Sequence, residues 1–244
     1  MLTKNQIKYI QSLGQKKCRD NDNVFVAEGP RLVSELLNSN QCHVKQIYAI
    51  KDWMNSNPDL FHNLQTEVTE QELEKISGLK TPAQVLIVAE KIKWEKELTL
   101  ENKITLVLDT IQDPGNMGTI LRTADWFGIE LVICSKDCAD IYNPKVVQAT
   151  MGSITRVRVE YNDLDIFLTE NKNIRKYAAV TDGMDIKKLE PPREALIIIG
   201  NEANGISPGI LERSDVRISV RGKGNAESLN AAIAAGIILS HLSN

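Results

Sequence analysis

The sequence predicts an α/β protein whose larger part is a mostly parallel sheet with helices on both faces. Short runs of valine, isoleucine and leucine recur between segments with helical periodicity. Such uninterrupted apolar runs are typical of strands that are buried on both faces. A smaller α/β region precedes them, and the charged stretch 90–103 separates the two regions. We therefore expect a first domain at 1–92, a linker at 93–103 and a second domain at 104–244.

The first domain is predicted from alternating helical and extended patterns. Apolar residues with helical spacing predict a helix at 4–13 and another that begins at Gly29-Pro30, where proline suits the first helical turn. Further strands and a short helix complete this small domain. The remaining expected elements are strands at 24–27, 44–50 and 85–88 and a helix at 70–77.

The second domain is predicted from five buried-type strands. The strands are expected at 104–109, 130–134, 177–181, 195–200 and 216–220. The final helix, at 229–242, is apolar on several sides, so we expect it to be largely buried, in the core or against a second subunit.

Composition sets limits on the class of protein. The 244 residues are 42% hydrophobic and 25% charged, as in an ordinary globular protein. A net charge of −3 disfavours a protein that coats nucleic acid through bulk positive charge. No apolar run is long enough to span a membrane, and the first residues lack the apolar core of a signal peptide. The four cysteines are scattered without framework or metal-site spacing, so we expect a cytoplasmic protein without a metal.

The first chemical motif is the segment LVLDTIQDPGNMGTILRTADWFG, at 106–128. It predicts a strand, a tight turn and an amphipathic helix, an arrangement on which α/β enzymes place polar groups. Asn116 lies at the start of this helix and Arg122 lies six residues later. Taken alone, this motif is better interpreted as ordinary structure, with Asn116 capping the helix and Arg122 on its surface.

Two further motifs follow strands. Gly200, Asn201, Glu202 and Gly205 lie in a loop after a fully apolar strand, where glycine allows a ligand to approach the backbone. The segment 221–230 is rich in glycine and ends in Ser228-Leu229-Asn230 at a helix start, a position suited to an electron-rich ligand. Taken singly, the loop 200–205 is explained equally well as an ordinary turn. The segment 221–230 is explained at least as well by plain capping of the following helix by Ser228.

Together, in this order, the three motifs resemble those of the SpoU (TrmH-like) RNA ribose 2′-O-methyltransferases of the SPOUT superfamily. The first segment, from KYIQSLGQKKCRDNDNVFVAEGPRLVSELL to TPAQVLIVAEK, also resembles the RNA-binding domain often attached to them, which is similar to ribosomal-protein modules. Together these resemblances cover nearly the whole chain. The chain departs from many relatives at Ser219 and Val220, where they carry proline and methionine.

The resemblance implies a trefoil-knotted α/β domain that binds S-adenosylmethionine and forms a homodimer through the knotted region. It implies cofactor contacts from the loops that follow Thr181, Gly200 and Ile218, and from Leu229 on the adenine side. Asn201 and Gly205 of the second motif would form part of the wall of the cofactor pocket.

The resemblance also implies the chemistry. Arg122 would be the central catalytic residue, oriented by Asn116, and Glu202, Ser228 and Asn230 would position it or the substrate. A guanidinium is effectively never neutral in proteins, so we expect Arg122 to clamp a phosphate and polarise the ribose hydroxyl rather than act as a base.

RNA is the expected substrate, ribosomal RNA first and transfer RNA second. The candidates for RNA contact are Lys16, Lys17, Arg19 and Arg31. From charge alone, a solvated helix face is the better interpretation of the early lysines. Two other classes stay open: a non-catalytic RNA-binding or ribosome-assembly protein of the same fold, and a nucleotide-dependent oxidoreductase. The second class would need a G-x-G-x-x-G motif after the first strand, which is missing.

Overall fold

The computed structural model describes residues 1–58, 62–95 and 98–242. Residues 96 and 97 of the predicted linker and the last two residues of the predicted second domain lie outside the described residues. No helix in the described part is long and apolar enough to cross a bilayer.

The chain divides into two compact units. The first combines Met1–Glu95 with Asp140–Thr155, and the second combines Lys96–Ala139 with Arg156–Asn244. The first unit is therefore discontinuous in sequence. It includes a segment that falls inside the second domain expected from sequence.

The first unit has a four-stranded sheet in the order β1-β4-β2-β3, antiparallel except for the parallel β2–β3 pair. The expected helices and strands of the small N-terminal α/β domain are confirmed, with ends shifted by a few residues. The elements of this unit are α1 (Lys4–Ser12), α2 (Lys16–Asp22), β1 (Val24–Glu28), α3 (Pro30–Leu37), β2 (Val44–Ala49), α4 (Lys51–Ser56), β3 (Gln65–Glu67), α5 (Glu70–Ile76), β4 (Val85–Glu90) and α7 (Pro144–Thr150).

Each face of this sheet has its own apolar core. Phe25 and Ile87 pack on one face with residues of α3 and α4 and with Val147 of α7. Val26 and Leu86, one residue along, pack on the other face with residues of α1 and α5. Because successive side chains of a strand point to opposite faces, continuous apolar strands require cover on both sides. The first unit is thus a three-layer α/β/α arrangement.

The second unit has a six-stranded sheet in the order β10-β8-β9-β5-β6-β7, and every neighbouring pair is parallel. The parallel sheet predicted from the apolar runs is confirmed. Its elements are β5 (Ile104–Leu108), α6 (Pro114–Trp126), β6 (Leu131–Ser135), β7 (Arg158–Asn162), α8 (Leu164–Glu170), β8 (Lys176–Asp185), β9 (Ala195–Ile199), α9 (Pro208–Glu212), β10 (Val216–Ser219) and α10 (Ala231–Leu242).

The final helix α10 begins two residues later than expected and packs against α6. A Cβ on Gly236 of α10 would lie 3.7 Å from the Cγ2 methyl of Thr123 on α6. Ile238 is buried, as expected, but Ile233 and Ile237 are 55% and 39% exposed. One face of α10 is therefore buried against the unit and the other is apolar and exposed.

Candidate functional site

The three motifs meet at one edge of the second sheet. Strands β10, β8, β9 and β5 are consecutive neighbours and all run parallel. The loops that follow β5, β9 and β10 therefore leave the sheet at its carboxyl edge, where α/β proteins usually bind ligands. The three motifs occupy those loops.

A hydrogen-bonded set of side chains joins the motifs. The Asn116 Nδ2 amide donates to the Glu202 Oε1 carboxylate oxygen, and Asn230 Nδ2 donates to Asn116 Oδ1 over 2.9 Å. Both ends of the Asn116 amide are therefore occupied by predicted site residues from the other two motifs. The structure brings together three of the five residues that the resemblance assigned to catalysis.

Helix caps explain why these side chains are available. Asp113 caps α6 by accepting from the Asn116 backbone N–H over 2.8 Å, so the Asn116 side chain does not serve as the cap. At α10 the cap is Asn230, whose Oδ1 accepts from the backbone N–H groups of Ala232 and Ile233 at 3.0 and 3.3 Å. The simple interpretations of Asn116 and Ser228 as helix caps are therefore wrong.

Arg122 and Ser228 stand apart from this set. Both are exposed, and neither side chain has a hydrogen bond or ion pair within residues 1–58, 62–95 and 98–242. Residues six apart on a helix are about 240° apart around its axis, so Asn116 and Arg122 point in different directions. Asn116 makes no hydrogen bond to Arg122, and the guanidinium is open to an external partner.

The second motif forms a tight loop that Asn201 organises. Its backbone exchanges hydrogen bonds with Gly205 at 2.8 and 3.0 Å, and its side-chain Nδ2 donates to the Thr110 carbonyl over 2.9 Å. A Cβ on Gly200 would lie 2.3 Å from the Gly205 carbonyl carbon, which no side chain can tolerate. Gly205 itself has φ +67°. Gly200 is therefore required by the close approach of the two chain segments, and Gly205 is favoured by its left-handed backbone conformation.

The candidate cofactor residues on β8 and β10 lie where these strands diverge. Thr181 is exposed and falls inside the long strand β8, where pairing with β10 jumps from Ala178 to Met184. Pairing of β8 with β9 also ends at Ala178. The segment 179–183 thus leaves the sheet as an excursion at the same edge. Ile218 is fully buried, whereas Leu229 is 42% exposed.

Two residues that sequence analysis did not assign support this edge. Asp109 is 4% exposed, and its Oδ2 accepts from the Ser207 backbone N–H over 2.7 Å. Thr110 has φ +59°, and its backbone N–H donates to Ser135 Oγ over 2.9 Å while its carbonyl accepts from Asn201. The signal in the sequence is a carboxylate directly after an apolar strand. These residues fasten the second motif to the end of β5.

The candidates for RNA contact lie in the first unit. Lys16 and Lys17 are exposed on α2, and Arg31 is exposed in the first turn of α3. The expectation that Arg19 contacts RNA is wrong, because its side chain is buried and does not face solvent. Its Nη1 donates to the carbonyls of Leu13 and Gly14, and its Nη2 bonds Asp140 Oδ2 over 2.6 Å. Arg19 holds the unit together and is not available to RNA.

No group of three or more histidine, cysteine, aspartate or glutamate side chains in the described ranges could hold a metal ion. Among these residues all four cysteines are free thiols. Burial and the neighbouring Cys138 raise the pKa of the Cys134 thiol well above its ordinary value.

Comparisons with known proteins agree with the geometry. Residues 103–240 match the SpoU rRNA Methylase family, and residues 4–87 match the MRM3-like substrate binding domain. The chain is 34% identical to the 23S rRNA (guanosine(2553)-2′-O)-methyltransferase RlmP of Bacillus subtilis, over 98% of this chain and 96% of that protein.

Solved structures are similar over the full length. A TrmH-family RNA methyltransferase structure from Porphyromonas gingivalis superposes with a TM-score of 0.86 at 35% identity, covering 99% of this chain and 98% of the other. An AdoMet-bound rRNA methyltransferase from Sinorhizobium meliloti superposes with a TM-score of 0.83 at 27% identity, covering 99% and 95%. The chain belongs to the SpoU rRNA methylase family.

Proposed function

We propose that this protein transfers a methyl group from S-adenosylmethionine to the 2′-hydroxyl of a ribose in ribosomal RNA. The observation that carries the proposal is the hydrogen-bonded set of Asn116, Glu202 and Asn230, which takes one polar side chain from each motif. The Bacillus subtilis relative is named for methylation of 23S rRNA, and the Sinorhizobium meliloti structure contains the cofactor. Both support the same reaction class.

The backbone at the sheet edge fits a nucleoside-like cofactor. Three segments, 179–183, 200–205 and 220–230, follow or interrupt neighbouring strands of one parallel sheet. Gly183 and Gly200 are positions where a Cβ would collide with another backbone segment, at 2.7 and 2.3 Å. Close backbone packing leaves peptide N–H and C=O groups for recognition of a polar ring edge. The cofactor supplies a methyl group that its sulfonium already activates, so the protein's task is alignment.

The residues divide this task between positioning and charge. Asn116 holds the second and third motifs in register through Glu202 and Asn230. Arg122 is exposed and free of partners within the described residues, so its forked donors can clamp the phosphate beside the target ribose. The same guanidinium polarises the 2′-hydroxyl. Because Arg122 stays charged, the proton leaves through phosphate or water.

We propose that the first unit binds the RNA substrate. Lys16, Lys17 and Arg31 are exposed there, and the matched family model is that of a substrate-binding domain. Reversing the charge of Lys16 and Lys17 should weaken RNA binding and lower its salt dependence by roughly one phosphate contact per lysine. Filter binding over a salt series measures both. Equal salt slopes for the variant and the wild type would remove these lysines from the RNA surface.

We further propose a homodimer through α6 and α10. The exposed face of α10 carries Ile233 and Ile237, and α6, packed beside it, ends in Trp126, which is 84% exposed. Apolar side chains clustered on the surface are typical of an interface. Ile233→Glu should give a monomer in analytical ultracentrifugation. The matched control is Ile166→Glu on α8, because Ile166 is 57% exposed and Ile233 is 55% exposed.

The trefoil knot and the cytoplasmic location stay proposals. The knot is supported by the tight crossing at Gly183, where the backbone of β10 leaves no room for a Cβ, and by the return of α10 onto α6. A crystal structure that traces the chain from 176 to 242 tests the threading. The location is supported by free cysteines in the described chain, and cell fractionation tests it.

The reaction is tested with purified protein, labelled S-adenosylmethionine and ribosomal RNA from a strain that lacks this gene. We expect label on a ribose of ribosomal RNA and none on transfer RNA. Arg122→Ala should lower the rate by roughly a hundredfold or more, as for loss of a charge-stabilising donor. Arg217→Ala removes another exposed arginine of the same unit and should leave the rate unchanged.

Each other result selects another function. Label on transfer RNA alone would replace the substrate, and saturable RNA binding without any label would favour a non-catalytic RNA-binding protein. Arg122→Lys separates geometry from charge, because lysine cannot offer two parallel donors. Near wild-type activity of Arg122→Lys would contradict the clamp.

A further inference from the structure

The excursion 179–183 of strand β8 is held at its far end by two side-chain donors. Ser219 Oγ and Arg221 Nη2 each donate to the Gly183 carbonyl, both over 2.9 Å. Ser219 is 1% exposed, whereas Arg221 reaches the carbonyl from the surface. A carbonyl oxygen has two lone pairs, so both donors can be satisfied at once.

The backbone at this point has no freedom to move aside. A Cβ on Gly183 would lie 2.7 Å from backbone atoms of Arg217 and Ile218. The end of the excursion is therefore packed directly on β10, and the two hydrogen bonds fix the direction in which the Gly183 carbonyl points. Ser219 ends β10 and Arg221 lies in the loop that follows it. The same carbonyl thus links two of the three segments proposed to bind the cofactor.

We infer that Ser219 and Arg221 are positioning residues that hold the excursion containing Thr181 in the shape that binds S-adenosylmethionine. This inference rests on the proposed function. Neither residue needs to touch the reacting atoms. Their effect is on the cofactor, because they order a backbone segment that would otherwise have to be ordered by the ligand, and such ordering costs affinity.

The test is cofactor affinity of the full-length protein by isothermal titration with S-adenosylmethionine. Ser219→Ala and Arg221→Met should each raise the Kd about fivefold, the effect of one ordinary hydrogen bond. The double variant should raise the Kd by more than the product of the two single effects, because the Gly183 carbonyl is then left without a side-chain donor. Arg221→Lys can still donate once and should bind more tightly than Arg221→Met, which has no donor.

Two matched variants control for the chemistry of the substitutions. Ser214→Ala removes a hydroxyl that also donates to a backbone carbonyl, that of Leu211 over 2.6 Å. Arg217→Met removes an exposed arginine of the neighbouring strand β10. Both should leave the Kd at the wild-type value. In turnover, Ser219→Ala and Arg221→Met should raise the KM for the cofactor and leave kcat and the KM for RNA unchanged.

The readouts separate positioning from general stability. Hydrogen exchange of the ligand-free protein should become faster at 181–184 in the double variant, with the melting temperature equal to that of the controls. A wild type that binds while the single and double variants bind equally well would overturn the inference alone. Loss of affinity that only follows a lowered melting temperature would also overturn it. A folded wild type without saturable binding would overturn the proposed function, and the inference with it.

Discussion

Replacement of Arg19 by methionine tests whether this buried cation is structural. Methionine fills a similar volume but removes the donors that Arg19 supplies to the buried Leu13 carbonyl and to Asp140 Oδ2. The side chains of Arg19 and Asp140 are 2% and 14% exposed, so the ion pair is largely removed from water. Asp140 follows Arg19 by 121 positions, and the bond therefore joins the two sequence segments of the first unit.

The expected loss is large for one residue. Removing one partner of a buried ion pair costs about 3–5 kcal/mol, because the remaining charge stays buried without compensation. Partial exposure of Asp140 places the estimate near the lower end, about 3 kcal/mol. With a urea m-value of about 2 kcal/mol per M, the midpoint should fall by roughly 1.5 M. Urea unfolding followed by tryptophan fluorescence measures it, since Trp53 is buried in the same unit.

The control is Lys17→Met on the exposed side of the same helix, for which we expect a change within about 0.5 kcal/mol. RNA binding by Arg19→Met tests the alternative, in which Arg19 contacts RNA. Weaker RNA binding by Arg19→Met with an unchanged urea midpoint would refute the structural assignment and return Arg19 to the RNA surface.

Three further predictions concern the site and the helix caps. Gly200→Ala should weaken cofactor binding roughly tenfold or more, as forced overpacking against Gly205 would, and titration calorimetry measures this. Asn230→Ala should lower the free energy of unfolding by about 1–2 kcal/mol through loss of the α10 cap, whereas Asn230→Ser should retain most of it in urea unfolding. The Thr69 backbone N–H is the largest cause that lowers the pKa of Glu72. A carboxylate with a lowered folded pKa stabilises the fold above its unfolded pKa, and this stability is lost as the pH falls through the folded pKa. Glu72→Gln should therefore flatten the acid limb of stability against pH, and an unchanged slope would contradict the assignment.

Much of the sheet of the second unit could be predicted because its strands are buried on both faces. Strands β5 and β9 are continuous apolar runs whose residues are nearly all buried, and short runs of this kind are typical of the inner strands of a parallel sheet. The edge strand β7, with sequence RVEYN, was not predicted. None of its residues is fully buried, so no apolar signal marks it.

Helix α2 shows a different limit of sequence patterns. Its sequence KKCRDND has no apolar periodicity, and the residue that it buries is Arg19. A buried face made of a charged side chain looks like a solvated helix in the sequence. The partner that reveals the difference, Asp140, is too distant in sequence for a local pattern to indicate.

At the site, residue types were easier to predict than partners. The motifs identified Asn116, Glu202 and Asn230, and the structure brings them together. The caps were assigned to the wrong residues, because Asp113 and Asn116 are both good caps and only the geometry shows which side chain accepts. At the end of β10, the resemblance to the family would place a proline where this chain has Ser219. The structure uses its hydroxyl as a donor, which proline could not provide.

Because the first unit is discontinuous in sequence, it cannot complete its folding until late in synthesis. When the ribosome has released residues 1–95, the strands of the first sheet are complete, but Val147 and Ile154 of their core have not been made. The apolar face that includes Phe25 is therefore covered only by α3 and α4 while residues 96–154 are translated, for about 6 seconds at about 10 residues per second. A nascent chain arrested before residue 140 should be a better chaperone substrate than one arrested after residue 155.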